Sequence, residues 1–173
     1  MSDQLKLPFW ASTVERGVPN SLARSALFGM VERGPERQQF KKKVIASYAG
    51  TKILFSGEAL NQQDLDLWLE LVDRWKELGE LSLVYTKHGL CKMIGKSKSA
   101  RAYKQIEESL LRLYNADIEV RTKTPKGQIR YFGRLVQEMF WIDEDSKMEA
   151  RINMNPNLAA LSVERAIGNI QRK

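Results

Sequence analysis

Few residues in this sequence have types and spacing that could do chemistry: one histidine, one cysteine, a Gly-Lys-Ser tripeptide and a run of carboxylates. His88 and Cys91 lie three apart and would meet on one side of a short helix, the arrangement of a base beside a thiol nucleophile. No orienting group or oxyanion donor accompanies them, so the histidine reads as a surface or capping residue and the cysteine as a small core residue. One histidine and one cysteine also leave no multi-His or multi-Cys metal site and no intramolecular disulfide. Gly95-Lys96-Ser97 imitates a phosphate-binding loop, which needs four residues between its glycines so that successive N–H groups curl around one phosphate. Here five residues separate Gly89 from Gly95, with Leu90, Met93 and Ile94 at helical spacing. The carboxylates of residues 64–80 read as an exposed ridge, a poor setting for acid–base work. The expectation is a protein that is not an enzyme and holds no cofactor or metal.

Basic residues carry the stronger signal. Residues 86–104 hold Lys87, Lys92, Lys96, Lys98, Arg101 and Lys104 with no acid, and residues 118–134 hold Arg121, Lys123, Lys126, Arg130 and Arg134 against one acid. A helix expected to begin at Ser97 would put Ser99, Ala102, Tyr103, Ile106, Leu110 and Leu113 on one face. The other face would show Ser97, Lys98, Arg101, Lys104, Gln105, Glu108 and Arg112. Arg and Gln can bond base edges in the major groove, while Lys, Ser and a helix N-terminus suit phosphates. The candidate DNA-binding residues are therefore Lys96, Ser97, Lys98, Arg101, Lys104 and Gln105, with Arg121, Lys123, Lys126 and Arg130 from a hairpin just downstream. A solvated basic face is the plain alternative.

These side chains need a frame. Pro19 to Ser21 open a short helix ending at Phe28, residues 29–39 read as a loop, and residues 41–55 read as a hairpin around Gly50. Asn61 caps a long helix that Gly79 stops. On it Leu65, Trp68, Leu69, Leu71, Val72, Trp75 and Leu78 cover about half the circumference, opposite Asp66, Glu70, Asp73 and Glu77. An arc this wide is either a deeply buried core face or a partner surface formed by Leu65, Trp68, Leu69, Val72 and Trp75. A strand at 81–85, a helix at 88–94, a turn at Gly95-Lys96 and the helix from Ser97 to about Tyr114 come next. Strands at 118–124, 129–142 and 148–154 follow, and Asn155-Pro156 open a last short helix. Helix, strand, helix, turn, helix, hairpin is the chain order of a winged helix.

Composition agrees with a polyanionic partner: the net charge is +7 and the pI about 9.5. With 43% hydrophobic and 28% charged residues a core can form. No apolar run reaches the roughly 18 residues of a membrane span and no secretory leader is visible, so a cytoplasmic protein is expected.

The segment Leu7-Pro8-Phe9-Trp10, with Arg16, Val18-Pro19-Asn20 and Arg24-Ser25-Ala26-Leu27-Phe28, resembles the opening of the TrfA family of plasmid replication initiators. The likeness runs on through Tyr48, Gly50, Leu60 and Gln63-Asp64-Leu65-Asp66-Leu67-Trp68. It then passes through Leu110-Leu111-Arg112-Leu113 to Asn155-Pro156-Asn157-Leu158-Ala159. The resemblance implies two winged-helix domains, binding to repeated origin sites (iterons), recruitment of host helicase or initiator proteins, and a switch between dimer and monomer. With its end at Lys173, the chain is expected to correspond to the first winged helix only. The expected fold is therefore α+β: a winged helix, meaning a helix-turn-helix with a β-hairpin wing, in one domain spanning 1–173. Residues 1–60 form an N-terminal helix and hairpin elaboration, 61–161 the core and 162–173 a tail. The expected function is replication initiation on double-stranded DNA, as a homodimer. A dimerisation or docking module, or a winged-helix repressor, is the competing reading.

Overall fold

The computed structural model describes residues 25–29, 37–79, 82–97, 99–144 and 147–159. The opening motif up to Arg24 and the expected tail at 162–173 lie outside them; residues 25–28 are helical. Seven strands follow, β1 (Gln39–Tyr48), β2 (Thr51–Glu58), β3 (Ser82–Thr86), β4 (Asp117–Thr124), β5 (Gly127–Arg134), β6 (Val136–Glu144) and β7 (Lys147–Met154). Between and after them lie α1 (Gln62–Leu78), α2 (Lys87–Met93), α3 (Ala100–Tyr114) and α4 (Pro156–Ala159).

Local chemistry accounts for the helix ends. Asn61 and Asp64 form a reciprocal capping box, each side chain accepting from the other's backbone N–H at 3.0 Å. Gly79 closes α1 in the left-handed conformation at φ 65°, where its N–H reaches the Trp75 carbonyl at 2.9 Å. The Thr86 hydroxyl caps α2 and the Ser99 hydroxyl caps α3, so α3 starts at Ala100 and not at Ser97. Ser97 is left exposed in the turn before it. Gly95, at φ 71°, makes the reversal between α2 and α3 that a residue with a Cβ would resist.

Two antiparallel sheets form, ordered β1-β2-β4-β5 and β3-β7-β6. This corrects the strand reading at one decisive point. The single strand expected over 129–142 breaks at Leu135, and its halves enter different sheets. The basic hairpin β4–β5, expected as the wing, instead extends the β1–β2 hairpin, with Ile118 opposite Phe55 and Val120 opposite Ile53. Those four buried side chains explain the choice, since pairing there seals one continuous apolar face. The hairpin that closes onto β3 is β6–β7.

One core unites the layers. From α1 it takes Leu67, Trp68, Leu71 and Val72, from α3 Ala102, Ile106, Leu110 and Leu113, and from the sheets Phe55, Leu83 and Ile152, all buried. Each of the large aliphatic and aromatic side chains among them stabilises the fold by about 1.5–3 kcal/mol relative to exposure.

Candidate nucleic-acid interface

Helix α3 is amphipathic in a way that presents bases early. Its buried stripe, Ala102, Ile106, Ser109, Leu110 and Leu113, turns Arg101, Lys104, Glu108 and Leu111 to solvent. No acid occupies the first turn, and the Ser99 hydroxyl accepts the Ala102 N–H at 3.1 Å. Among the described residues Arg101 and Lys104 make no ion pair or side-chain hydrogen bond, so their charges are not taken up by these neighbours.

Other expected contact residues are already engaged. Lys96 donates to Gln63 Oε1 of α1 at 3.3 Å and also to Gln105 Oε1, leaving Gln105 half-buried between helices. The two expected base readers, Arg101 and Gln105, therefore do not share one free face; Lys96 bridges Gln105 of α3 to Gln63 of α1. Lys98 lies outside the described residues. On the hairpin, Arg121 and Arg130 face each other across β4 and β5, a like-charge pairing that would repel. Glu119 resolves it, bonding Arg130 at 2.5 Å and lying 2.9 Å from Arg121. Lys123 and Lys126 are exposed at the tip with no ion pair among the described residues, and the Lys123 N–H donates to the Gly50 carbonyl at 3.1 Å. That bond brings the two hairpin tips together and sets exposed Lys52 near them.

Sequence reasoning missed the most heavily bonded group near α3. Asp64, expected on an exposed ridge, is fully buried. It accepts from Arg112 at 2.9 Å, from Arg37 at 3.0 Å, from the Asn61 N–H and from the Ser109 hydroxyl. Burial alone would raise its pKa, but the bonds from Arg112 and Ser109 and the Arg112 charge outweigh it and hold the carboxyl below the usual aspartate value. Glu119 behaves alike: burial raises it, and the Arg130 and Arg121 bonds bring it below the ordinary glutamate value. An Asn three residues before an Asp is the one local signal that could have placed Asp64 at a helix start.

The expected partner arc on α1 divides. Trp68 and Val72 belong to the protomer core and cannot reach a second chain, while Leu65, Leu69 and Trp75 are half-buried. Cys91 is buried, and burial pushes its thiol pKa up; His88 beside it is exposed. Among the described residues no helix is long and apolar enough to cross a membrane.

The fold recurs in solved structures. Domains 2 and 3 of RctB superpose with a TM-score of 0.64 at 12% identity, over 87% of this chain and 62% of that one. A second RctB structure of domains 2–3 gives 0.61 at 14% identity, over 84% and 58%. In sequence, the chain is 34% identical over 108 residues to the plasmid replication initiator protein TrfA of Escherichia coli. That match takes in 60% of this chain and 28% of the relative, so the chain corresponds to under a third of its length. The family model described as TrfA protein matches residues 3–152, and the chain belongs to the TrfA family.

Proposed function

We propose that this chain is a non-catalytic, DNA-contacting winged-helix part of a plasmid replication initiator, with α3 as the helix that enters the major groove. The observation that carries this is the pair Arg101 and Lys104, exposed on the first half of α3 and without an ion pair among the described residues, in a member of the TrfA family. Helix-turn-helix units insert the N-terminal half of their second helix, which is where these bases stand. In this reading α1, β3, α2, α3, β6 and β7 form the winged helix. The β4–β5 hairpin is an insertion whose tip lysines, Lys123 and Lys126, hold phosphates. Double-stranded origin repeats are the proposed ligand, the cytoplasm the proposed location, and host helicase or initiator proteins the proposed partners.

A specific feature favours the docking-module reading as the second choice. The paired end of hairpin β6–β7 carries two acids, Asp143 and Glu144, against one base, Lys147, which stands opposite Glu144. An acidic wing is repelled by phosphate, so it would contribute nothing to DNA affinity. Binding titrations against origin-repeat and scrambled duplexes at several salt concentrations separate the two. The proposal expects tighter binding to the repeat and a steep salt slope. Equal, weak binding to both duplexes would favour docking.

A further inference from the structure

Lys96, in the turn between α2 and α3, is a half-buried ammonium without an ion pair among the described residues. Its backbone is fixed. The Lys96 N–H donates to the Cys91 carbonyl at 2.9 Å, and Gly95, at φ 71°, donates to the Lys92 carbonyl at 3.2 Å. The side chain finds two acceptors, both neutral amides: Gln63 Oε1 of α1 at 3.3 Å and Gln105 Oε1 of α3. An ammonium donates and cannot accept, so each amide turns its oxygen to Lys96 and its NH2 group away. The frame around them is rigid as well. Gln63 adjoins Asp64, whose bonds to Ser109 and Arg112 hold α1 on α3.

This arrangement decides what Gln105 can read. Gln105 lies one turn beyond Arg101 and about 40° further round the helix, on the flank toward α1. Its oxygen is taken, but its NH2 group makes no hydrogen bond among the described residues. A hollow of about 560 Å³ opens beside it, bordered also by Gln63, Glu58 and Glu108. Those carboxylates keep phosphate away from this flank, which leaves a base edge as the fitting acceptor. An unrestrained glutamine bonds adenine with both ends, accepting from N6 and donating to N7. With its oxygen held inward, Gln105 can only donate. Guanine suits a donor best, because its major-groove edge shows two acceptors, N7 and O6, and no donor.

We infer that Lys96 is a positioning residue for readout, holding Gln105 as a donor-only reader of a guanine edge. The inference rests on the DNA-contacting reading of α3. Lys96 itself touches no base; it sets which end of the Gln105 amide meets one.

Titrations of the full chain test this, on the repeat duplex, a scrambled duplex and repeats changed one base pair at a time. Gln105→Met should flatten the preference at one G·C pair by about fivefold and leave scrambled binding unchanged. Lys96→Met should flatten the same pair, and the double variant should lose no more than either. Lys96→Arg, which still donates to both amides, should keep the preference. Gln105→Glu keeps an oxygen on Lys96 but supplies no donor, so it should remain folded in urea unfolding and still lose the preference. A preference kept in Gln105→Met or in Lys96→Met overturns the inference, as does one lost at an A·T pair. Lys96→Met weakening both duplexes alike, with their ratio kept, would make Lys96 a phosphate contact and overturn it too. Arg101→Ala on the same duplexes separates this from the reading beneath it. If Arg101→Ala loses repeat affinity while Gln105→Met loses nothing, only the role of Lys96 and Gln105 falls. If neither loses affinity, the DNA-contacting reading falls with it.

Discussion

Asp64 and Glu119 are both carboxylates gripped by two arginines, and both are nearly sealed from solvent, at 0% and 6% exposure. Their surroundings differ. Asp64 has every lone-pair direction used, by Asn61, Ser109, Arg37 and Arg112, and the Arg112 side chain is itself only 9% exposed. Around Glu119 the partners are looser: Arg121 and Arg130 are 32% and 45% exposed, and Glu119 Oε2 and Arg121 Nε lack aligned hydrogen bonds. The first cluster locks α1, α3 and the chain before β1 into one body. The second balances charge on the outer sheet face, where both arginines keep part of their surface in water. Satisfaction of the polar atoms, more than burial, separates a lock from a surface.

The largest expected effect follows from removing the lock. Asp64→Ala would strand the nearly buried Arg112 guanidinium and take one partner from the half-buried Arg37, and should cost about 3–5 kcal/mol in urea unfolding. A loss under about 1 kcal/mol would erase the contrast. Glu119→Gln should cost only about 1 kcal/mol, because its arginines can turn to water. If it cost as much as Asp64→Ala, the sheet face would have to be counted as core.

Acid should act on both. Their folded pKa values are depressed below the ordinary 3.8 and 4.5. The stability they contribute is complete above those ordinary values and is lost as the pH falls through the lower folded ones. Unfolding measured between pH 2 and 6 should show stability dropping on the acid side, with a shallower drop in Asp64→Asn. An unchanged slope in that variant would mean Asp64 is not ionised in the native state. The smallest effect is expected at Tyr85, whose buried hydroxyl has no partner among the described residues and whose pKa burial pushes up to about 12. Tyr85→Phe should change stability by less than about 0.5 kcal/mol, or raise it slightly. A clear loss would reveal a bond to that hydroxyl.

Local signals were legible in the sequence. The Asn61 cap, the Gly79 stop, the turn at Gly95 and the alternation Ile118, Val120, Thr122 all fall where spacing put them. Partners remote in sequence were not. Asp64 meets Ser109 and Arg112 across 45 and 48 positions, and nothing near Asp64 announces them. For the same reason Arg121 and Arg130 read as free bases, when Glu119 holds both. The misplaced wing is the same lesson in strands. Charge and chain adjacency pointed to β4–β5, whereas apolar matching with β2 decided its pairing.

Among the bases named for DNA, Arg101, Lys104, Lys123 and Lys126 are exposed and make no ion pair with the described residues, and they lie on two separate elements. That division makes the central claim testable with two variants titrated on repeat and scrambled duplexes over a salt series. Arg101→Ala should lose about 1–3 kcal/mol on the repeat and much less on scrambled DNA, as expected of a base reader. Lys126→Ala should weaken both alike and lower the salt slope by roughly one unit. If Arg101→Ala and Lys104→Ala leave repeat affinity unchanged, α3 does not lie in a groove and the DNA-contacting reading is contradicted.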